Sequence, residues 1–312
     1  MSQESGTHKR KLLSGDNIFR GIINLAGAML ILLLVVIFYL LVVRSLPSIR
    51  EFGVNFIWKK QWDPVQEEFG AFPFIIGTLI TSFAAIFLAL PLSLSTSLFI
   101  REYAPKMIGK IISHMVDLLA AIPSVIYGMW GIFVLVPVIR KVEMLLYTHF
   151  SFIPIFNAPP FGVGLLSAIV ILIIMTLPYS ISITRDVMDQ VPKDLKEGAY
   201  ALGSTKWIMV RKIMIPYCKN GIIGGTTLAL GRALGETMAV TMVIGNSTRV
   251  PKTLFDPANT IASLIANEFN EADSALYVSS LIELGLLLFL ISLIINTLGK
   301  KVVQRTSIKK SK

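Results

Sequence analysis

The chain has 312 residues, 54% of them hydrophobic and 15% charged, with a formal net charge of +10 and a mean hydropathy of +0.70. Soluble globular domains carry about 25% charged residues, so this composition excludes an ordinary soluble enzyme and points to a membrane protein. The single Cys218 excludes an internal disulfide framework and a Cys-based zinc cluster, and His8, His114 and His149 are too scattered to form a ligand set.

A membrane-crossing helix needs about 20 mostly apolar residues. Residues 1–20 form a polar N-terminal segment. Residues 21–43 are a charge-free run between Arg20 and Arg44. That run is too long for a secretory signal and lacks a small-residue cleavage pattern, so it reads as a retained first span. The second span falls at about 74–99, in a charge-free stretch with Pro73 near its start and Pro91 inside. The third falls at about 116–138. Residues 144–184 are again charge-free; the part holding Pro154, Pro159 and Pro160 reads as a loop or re-entrant segment, and 162–184 as the fourth span. The fifth, 221–245, is apolar apart from Arg232 and Glu236, and the sixth, 275–298, apart from Glu283. The basic tail 299–312 completes the chain. The expected fold is an all-α polytopic membrane protein of six transmembrane helices in one domain, 21–298.

Lysine and arginine in the loops set the orientation. With the N-terminus inside, the cytoplasmic pieces hold 20 Lys/Arg and the external loops 8. Both termini are therefore expected in the cytoplasm. This asymmetry accounts for the net charge without nucleic acid, and the run Lys300, Lys301, Arg305, Lys309, Lys310, Lys312 reads as an anchor beside anionic lipid. Trp58 and Trp62 in the first external loop read as interfacial anchors or as a partner contact. No internal repeat and no low-complexity linker is visible.

No phosphate-cradling GxxxxGK[ST], no HExxH and no GxSxG occurs, so the chain reads as a conduit whose energy comes from elsewhere. Two features carry functional information. In the fifth span, Arg232 lies 11 residues after Gly221, which is about 17 Å along a helix and near the bilayer centre. A charge there should face protein or water rather than lipid. On a continuous helix Glu236 would share its face at i+4, Gly224 and Leu228 would continue that stripe, and Gly221, Gly225, Ala229 and Ala233 would form a packing stripe beside it. A guanidinium offers a planar fork of donors to a tetrahedral oxyanion. The alternative is a buried salt bridge that locks packing. Glu283 could join such a network or sit near a helix end.

The second feature is the cytoplasmic segment EGAYALGSTKWIMVRKIMIP at 197–216. Residues 193–202 form a short helix candidate with Leu195, Ala199 and Leu202 at i, i+4 and i+7, small residues at 198 and 199 allow close approach, and Gly203 can end the helix at positive φ. A second helix could then run towards Pro216 and the next span. An ordinary amphipathic juxtamembrane helix would show a similar pattern. The segment resembles the EAA loop of ATP-binding-cassette import permeases: Glu197, Ala199, Gly203, Ile213 and Pro216 fall at the motif's positions, while Gly198 and Ile215 replace an alanine and a leucine.

Together with FPFIIGTLITS at 72–82, AAIPSVIYGMWGIFVLVP at 120–137 and GRALGETMAVTMVIGN at 231–246, the chain resembles the PstC-type permeases of phosphate-specific import systems over roughly residues 15–305. The string MAVTMVIGN after RALGET favours this type over the sister PstA type, which stays the alternative together with an importer of another oxyanion. The resemblance implies a type I ABC importer permease fold and uptake of inorganic phosphate across the inner membrane by alternating access. It also implies pairing with a PstA-type permease, two PstB-type ATPase subunits inside and a soluble phosphate-binding protein outside. Arg232 and Glu236 would then lie on the phosphate path, and Glu197, Ala199, Gly203, Ile213 and Pro216 would couple to the ATPase. The chain itself would hold no cofactor and no metal and catalyse no covalent chemistry, ATP being used by the partner. The competing readings are a proton-coupled secondary transporter, against which the lack of inverted halves argues, and a membrane sensor, which leaves the 197–216 motif without a purpose.

Overall fold

A computed structural model describes residues 5–306 of the chain, and the side chains of residues 15–304. Lys309, Lys310 and Lys312 of the basic tail lie outside the described residues. The apolar runs become helices α1 (Ser5–Phe52), α3 (Phe72–Leu98), α7 (Leu165–Asp189) and α13 (Ala275–Thr306). A short α2 (Asn55–Trp58) follows α1. Between α3 and α7 come α4 (Lys106–Ala120), α5 (Ser124–Trp130) and α6 (Val136–Phe150); between α7 and α13 come α8 (Lys193–Ala201), α9 (Lys206–Met209), α10 (Ile215–Leu234), α11 (Met238–Val243) and α12 (Ile261–Glu268). Among the described residues the only β pairing consists of isolated bridges, Asp63 with Glu68 and Gly245 with Ala258. Among the described residues five helical stretches are long and apolar enough to cross a bilayer: Gly15–Phe52, Phe72–Tyr103, Ser124–Phe150, Leu165–Asp189 and Ala275–Gln304.

Two expectations about these stretches need correction. The third span is expected at about 116–138, but the helix breaks where Pro123 has no N–H to offer, and the apolar stretch long enough to cross is Ser124–Phe150. Arg140, Lys141 and Glu143, beyond the expected end of that span, therefore ride on α6. Glu143 is fully buried there, its Oε2 accepting the Gly162 N–H at 2.7 Å. The run 221–245 is likewise not one helix: α10 ends at Leu234 and α11 begins at Met238.

Prolines at the first turns of α6 and α10 follow wide π-turns. Val136 N–H reaches back to Gly131 O and Ile215 N–H to Val210 O, five residues each, just before Pro137 and Pro216. The wider turn carries the helix past a residue that lacks a donor.

Pro47 in α1 is handled by a neighbour instead. Ser279 of α13 accepts the Ser48 N–H at 3.0 Å and donates to the Arg44 carbonyl at 3.0 Å, bridging the backbone pair beside the proline. The Ser48 and Ser280 hydroxyls meet at 3.0 Å beside it. Glu283, one turn further along α13, is buried with Ser48 as its polar neighbour, so it neither joins Arg232 nor sits at a helix end. Ser279→Ala removes both hydrogen bonds to this backbone pair, at about 0.5–1.5 kcal/mol each. The unfolding midpoint of the purified protein is expected to fall, and Ser279→Thr to restore it; an unchanged midpoint in Ser279→Ala would refute the bridge.

The α13 end nearest α12 closes a second, smaller core. Phe56, Trp62, Phe69, Phe74, Leu264 and Tyr277 pack together, and Glu268 Oε2 accepts from both Trp62 Nε1 and Tyr277 Oη at 2.7 Å. Burial pushes the Glu268 carboxyl above its ordinary value, against the pull of the Tyr277 and Trp62 hydrogen bonds. Trp62 is thus a core residue rather than an anchor, whereas Trp58 stays exposed. The main core lies between α3, α5, α7, α10 and α11.

Candidate functional site

The break after α10 is built from Gly235, Glu236 and Thr237. Gly235 takes φ −96° and ψ 2°, ending the helix, and the Glu236 carboxylate turns forward to accept the Ala239 N–H at 3.3 Å. Glu236 therefore caps the first turn of α11 and does not point along the Arg232 face. Among the described residues Arg232 makes no ion pair. Its guanidinium carbon stands 5.9 Å from the centre of the Tyr179 ring on α7, a cation–π contact that leaves its donor fork open. The expected i, i+4 pair is thus corrected: the two charges flank a break, and each has its own partner.

Tertiary packing creates the break. A Cβ on Gly128 of α5 would lie 2.5 Å from Met242 Sδ and 3.1 Å from Ala239 Cα, so α11 is drawn onto α5 through a glycine gap. The small-residue stripe of α10 packs as expected. Cβ atoms on Gly221 and Gly225 would strike Val187 and Ile183 of α7, and Ala229 and Ala233 are buried. The adjoining stripe behaves differently. Gly224 has open space where a Cβ would be, and Leu228 and Arg232 are exposed on the surface of the chain. Tyr127 of α5 stands within electrostatic reach of Arg232 and gives its hydroxyl proton to Leu119 O at 2.9 Å. An open guanidinium on an exposed helix face calls for water, an anion or a second protein chain over it.

The elbow 193–216 takes the form its residues suggest. Gly203 has φ +75° and completes a Schellman cap on α8: Ser204 N–H bonds to Ala199 O at 3.1 Å and Gly203 N–H to Tyr200 O at 2.9 Å. Beyond it Thr205 caps α9, which runs through the π-turn into α10 without ending at Pro216. Of the predicted stripe only Ala199 is buried, against Met188, Met209 and Met214. Leu195 and Leu202 are exposed, Leu202 at 88%, together with Tyr200 and Trp207. The i, i+4, i+7 spacing marks a helix, as observed, and most of its apolar stripe faces out. Glu197, Gly198, Gly203 and Pro216 are also exposed, while Ile213 is half-buried.

The elbow is tied to the end of α3 by contacts that sequence reasoning missed. Lys196 Nζ meets Glu102 Oε1 at 2.6 Å, Lys206 donates to the Glu102 carbonyl, and its ammonium lies 4.9 Å from the centre of the Tyr103 ring. Arg101 pairs with Asp189 at the end of α7. No local pattern marks Glu102, because its partners are 94 and 104 residues away.

Residues 89–308 match the family described as binding-protein-dependent transport system inner membrane component. The chain is 45% identical over 293 residues to the phosphate transport system permease protein PstC of Pasteurella multocida, covering 92% of this chain and 91% of that protein. It is 44% identical over 302 residues to the protein of the same name from Haemophilus influenzae, covering 95% and 96%. A chain of a bacterial alginate ABC transporter, solved in complex with an alginate-bound periplasmic protein, superposes with a TM-score of 0.60 at 17% identity, covering 95% of this chain and 96% of that one. A chain of the MetNI methionine ABC transporter in an inward-facing conformation gives 0.56 at 19% identity, covering 74% and 94%. At these identities the structural likeness is one of fold.

Proposed function

The chain belongs to the PstC family of phosphate transport system permeases, within the binding-protein-dependent inner membrane components, and from that premise we propose that it forms one half of the membrane path of an ATP-driven importer of inorganic phosphate. A PstA-type subunit would cover the exposed Gly224–Leu228–Arg232 face and complete the path. Two PstB-type ATPases would bind on the elbow side, and a phosphate-binding protein on the opposite side. The chain supplies no covalent chemistry and needs no cofactor of its own; ATP is hydrolysed in the partner.

The observation that carries this reading is the open fork of Arg232 beside the break between α10 and α11. A tetrahedral oxyanion accepts two of its donors at once, and the Tyr179 ring stabilises the cation between occupants. Glu236, occupied with capping α11, fixes the geometry of the break and offers a negative charge near the path without quenching Arg232. The second half of the machine is the elbow. Exposed Leu195, Tyr200, Leu202 and Trp207 offer an apolar surface to an ATPase groove, and the Glu102 clamp passes a displacement of α8 and α9 to the end of α3. Six crossings, with α10 and α11 together forming the fifth, would place both termini in the cytoplasm. A reporter fused after Lys312 is expected to be active only inside.

The test is reconstitution of the chain with its partners in sealed vesicles. Phosphate uptake is expected to follow ATP hydrolysis and to need the binding protein; hydrolysis-independent, proton-driven uptake by this chain alone would favour a secondary transporter. Glu102→Gln removes the charge that holds Lys196, a contact of about 1.5–3 kcal/mol. Uptake per ATP hydrolysed is expected to drop severalfold in an intact complex. An unchanged ratio would dismiss the clamp as a coupling element.

A further inference from the structure

At the elbow end of the bundle, between α4 and α7, lies a cavity of about 360 Å³ lined by Arg101, Lys106, Lys110, His114, Asp117 and Arg185 among others. Helix α4 contributes Lys106, Lys110, Ser113, His114 and Asp117 at i, i+4, i+7, i+8 and i+11, which is one helix face. Its other face, with Met107, Ile111, Met115 and Leu118, is exposed and apolar. Four permanent cations meet a single carboxylate in the lining.

That carboxylate is already engaged. Asp117 Oδ1 accepts from the Ser182 hydroxyl at 2.8 Å and from Arg185 Nη2 at 3.1 Å, and Oδ2 from the same nitrogen at 3.3 Å. Asp186 lies 3.6 Å from Arg185 Nε, and Asp189 holds Arg101. Arg185 is only 11% exposed, yet its Nη1 is buried without a hydrogen-bond partner. Lys106 and Lys110 make no ion pair among the described residues. A buried guanidinium N–H left unpaired costs about 1–3 kcal/mol, and natural structures rarely leave one without a purpose. An acceptor for Arg185 Nη1 in this cavity would have Lys106 and Lys110 in the same lining, which favours a compact group with several anionic oxygens.

We propose that this cavity is a second anion site, which takes a phosphoryl oxyanion on Arg185 Nη1 with Lys106 and Lys110. It stands about 9 Å further along α7 than Tyr179, the residue under Arg232, at about 1.5 Å per residue. The same chemistry comes from two sources. One is a free phosphate ion. The other is the headgroup of an anionic lipid, whose acyl chains would lie along the apolar face of α4. The inference rests on the cavity itself and holds whatever the chain transports.

The test uses the assembled complex in a phosphate-free maltoside detergent, carrying Arg232→Gln so that the central site is silent. Binding of radiolabelled inorganic phosphate is measured by equilibrium dialysis, and co-purifying phosphatidylglycerol is counted by mass spectrometry. Lys106→Gln with Lys110→Gln, both exposed positions, is compared with Arg249→Gln with Lys252→Gln, a charge-matched control on the opposite side. At least a tenfold loss of phosphate affinity in the first pair alone identifies a free-ion site. Loss of about one lipid per chain in that pair alone identifies a headgroup site. If both pairs bind phosphate and retain lipid alike, the proposal is overturned. Failure of the import reading would show elsewhere, as normal uptake in Arg232→Gln.

Discussion

Replacing Arg232 by lysine is expected to lower ATP-driven phosphate uptake by about 10- to 100-fold while the complex still assembles. Lysine keeps the charge but loses the planar fork, and a charge-assisted hydrogen bond is worth about 1.5–3 kcal/mol, which sets that range. Arg232→Gln should be more severe, since it removes the charge as well. Neither change should unfold the subunit, because Arg232 is exposed and has no ion pair to break. Glu236→Gln preserves an oxygen for the Ala239 N–H, so α11 should remain capped, whereas Glu236→Ala forfeits about 1 kcal/mol of capping. The decisive variant joins Arg232→Gln with Glu236→Gln. If the two residues serve only the local structure around the break, neutralising both should leave assembly and uptake near wild type. A phosphate path through Arg232 requires the double variant to assemble, hydrolyse ATP and fail to import.

Gly203→Pro is the second change with a large expected effect, and it acts on coupling alone. Proline fixes φ near −65°, but the chain at 203 needs φ +75°, and proline has no N–H for the Tyr200 carbonyl. The Schellman cap is therefore lost, and the angle between α8 and α9 with it. Expected are normal membrane insertion, ATP hydrolysis no longer stimulated by substrate, and uptake reduced to background. Gly203→Ala separates the causes. Its Cβ would meet nothing within 4 Å, so the only cost is about 1–2 kcal/mol of left-handed backbone, and partial coupling should remain. Full coupling in Gly203→Pro would remove the elbow from the mechanism.

The residues of the elbow were readable because the information is local. A helix of nine residues, a glycine that can take positive φ and a motif of fixed spacing all lie within one short stretch. Which side of that helix faces the chain was not readable. An outward apolar face awaiting a partner has the same period as an inward one, and only the burial of Ala199 beside the exposure of Leu195 and Leu202 tells them apart. The same holds for Trp62, whose burial depends on Glu268, 206 residues away.

Arg232 shows the division most clearly. Residue type and depth alone mark it as a costly charge that must face water, protein or an anion. An apolar run with glycines at 231 and 235 is equally compatible with an unbroken helix, in which Glu236 would pair with it. The tertiary structure chose the break, because Gly128 lets α5 approach Ala239 and Met242 closely enough to hold α11 as a separate piece. Hydropathy runs and turn glycines act over a few residues and are settled by the sequence itself: the membrane class and the cap at Gly203. Helix breaks, buried charges and the Glu102 clamp depend on which distant helices become neighbours, and only packing between segments tens to hundreds of residues apart decides that.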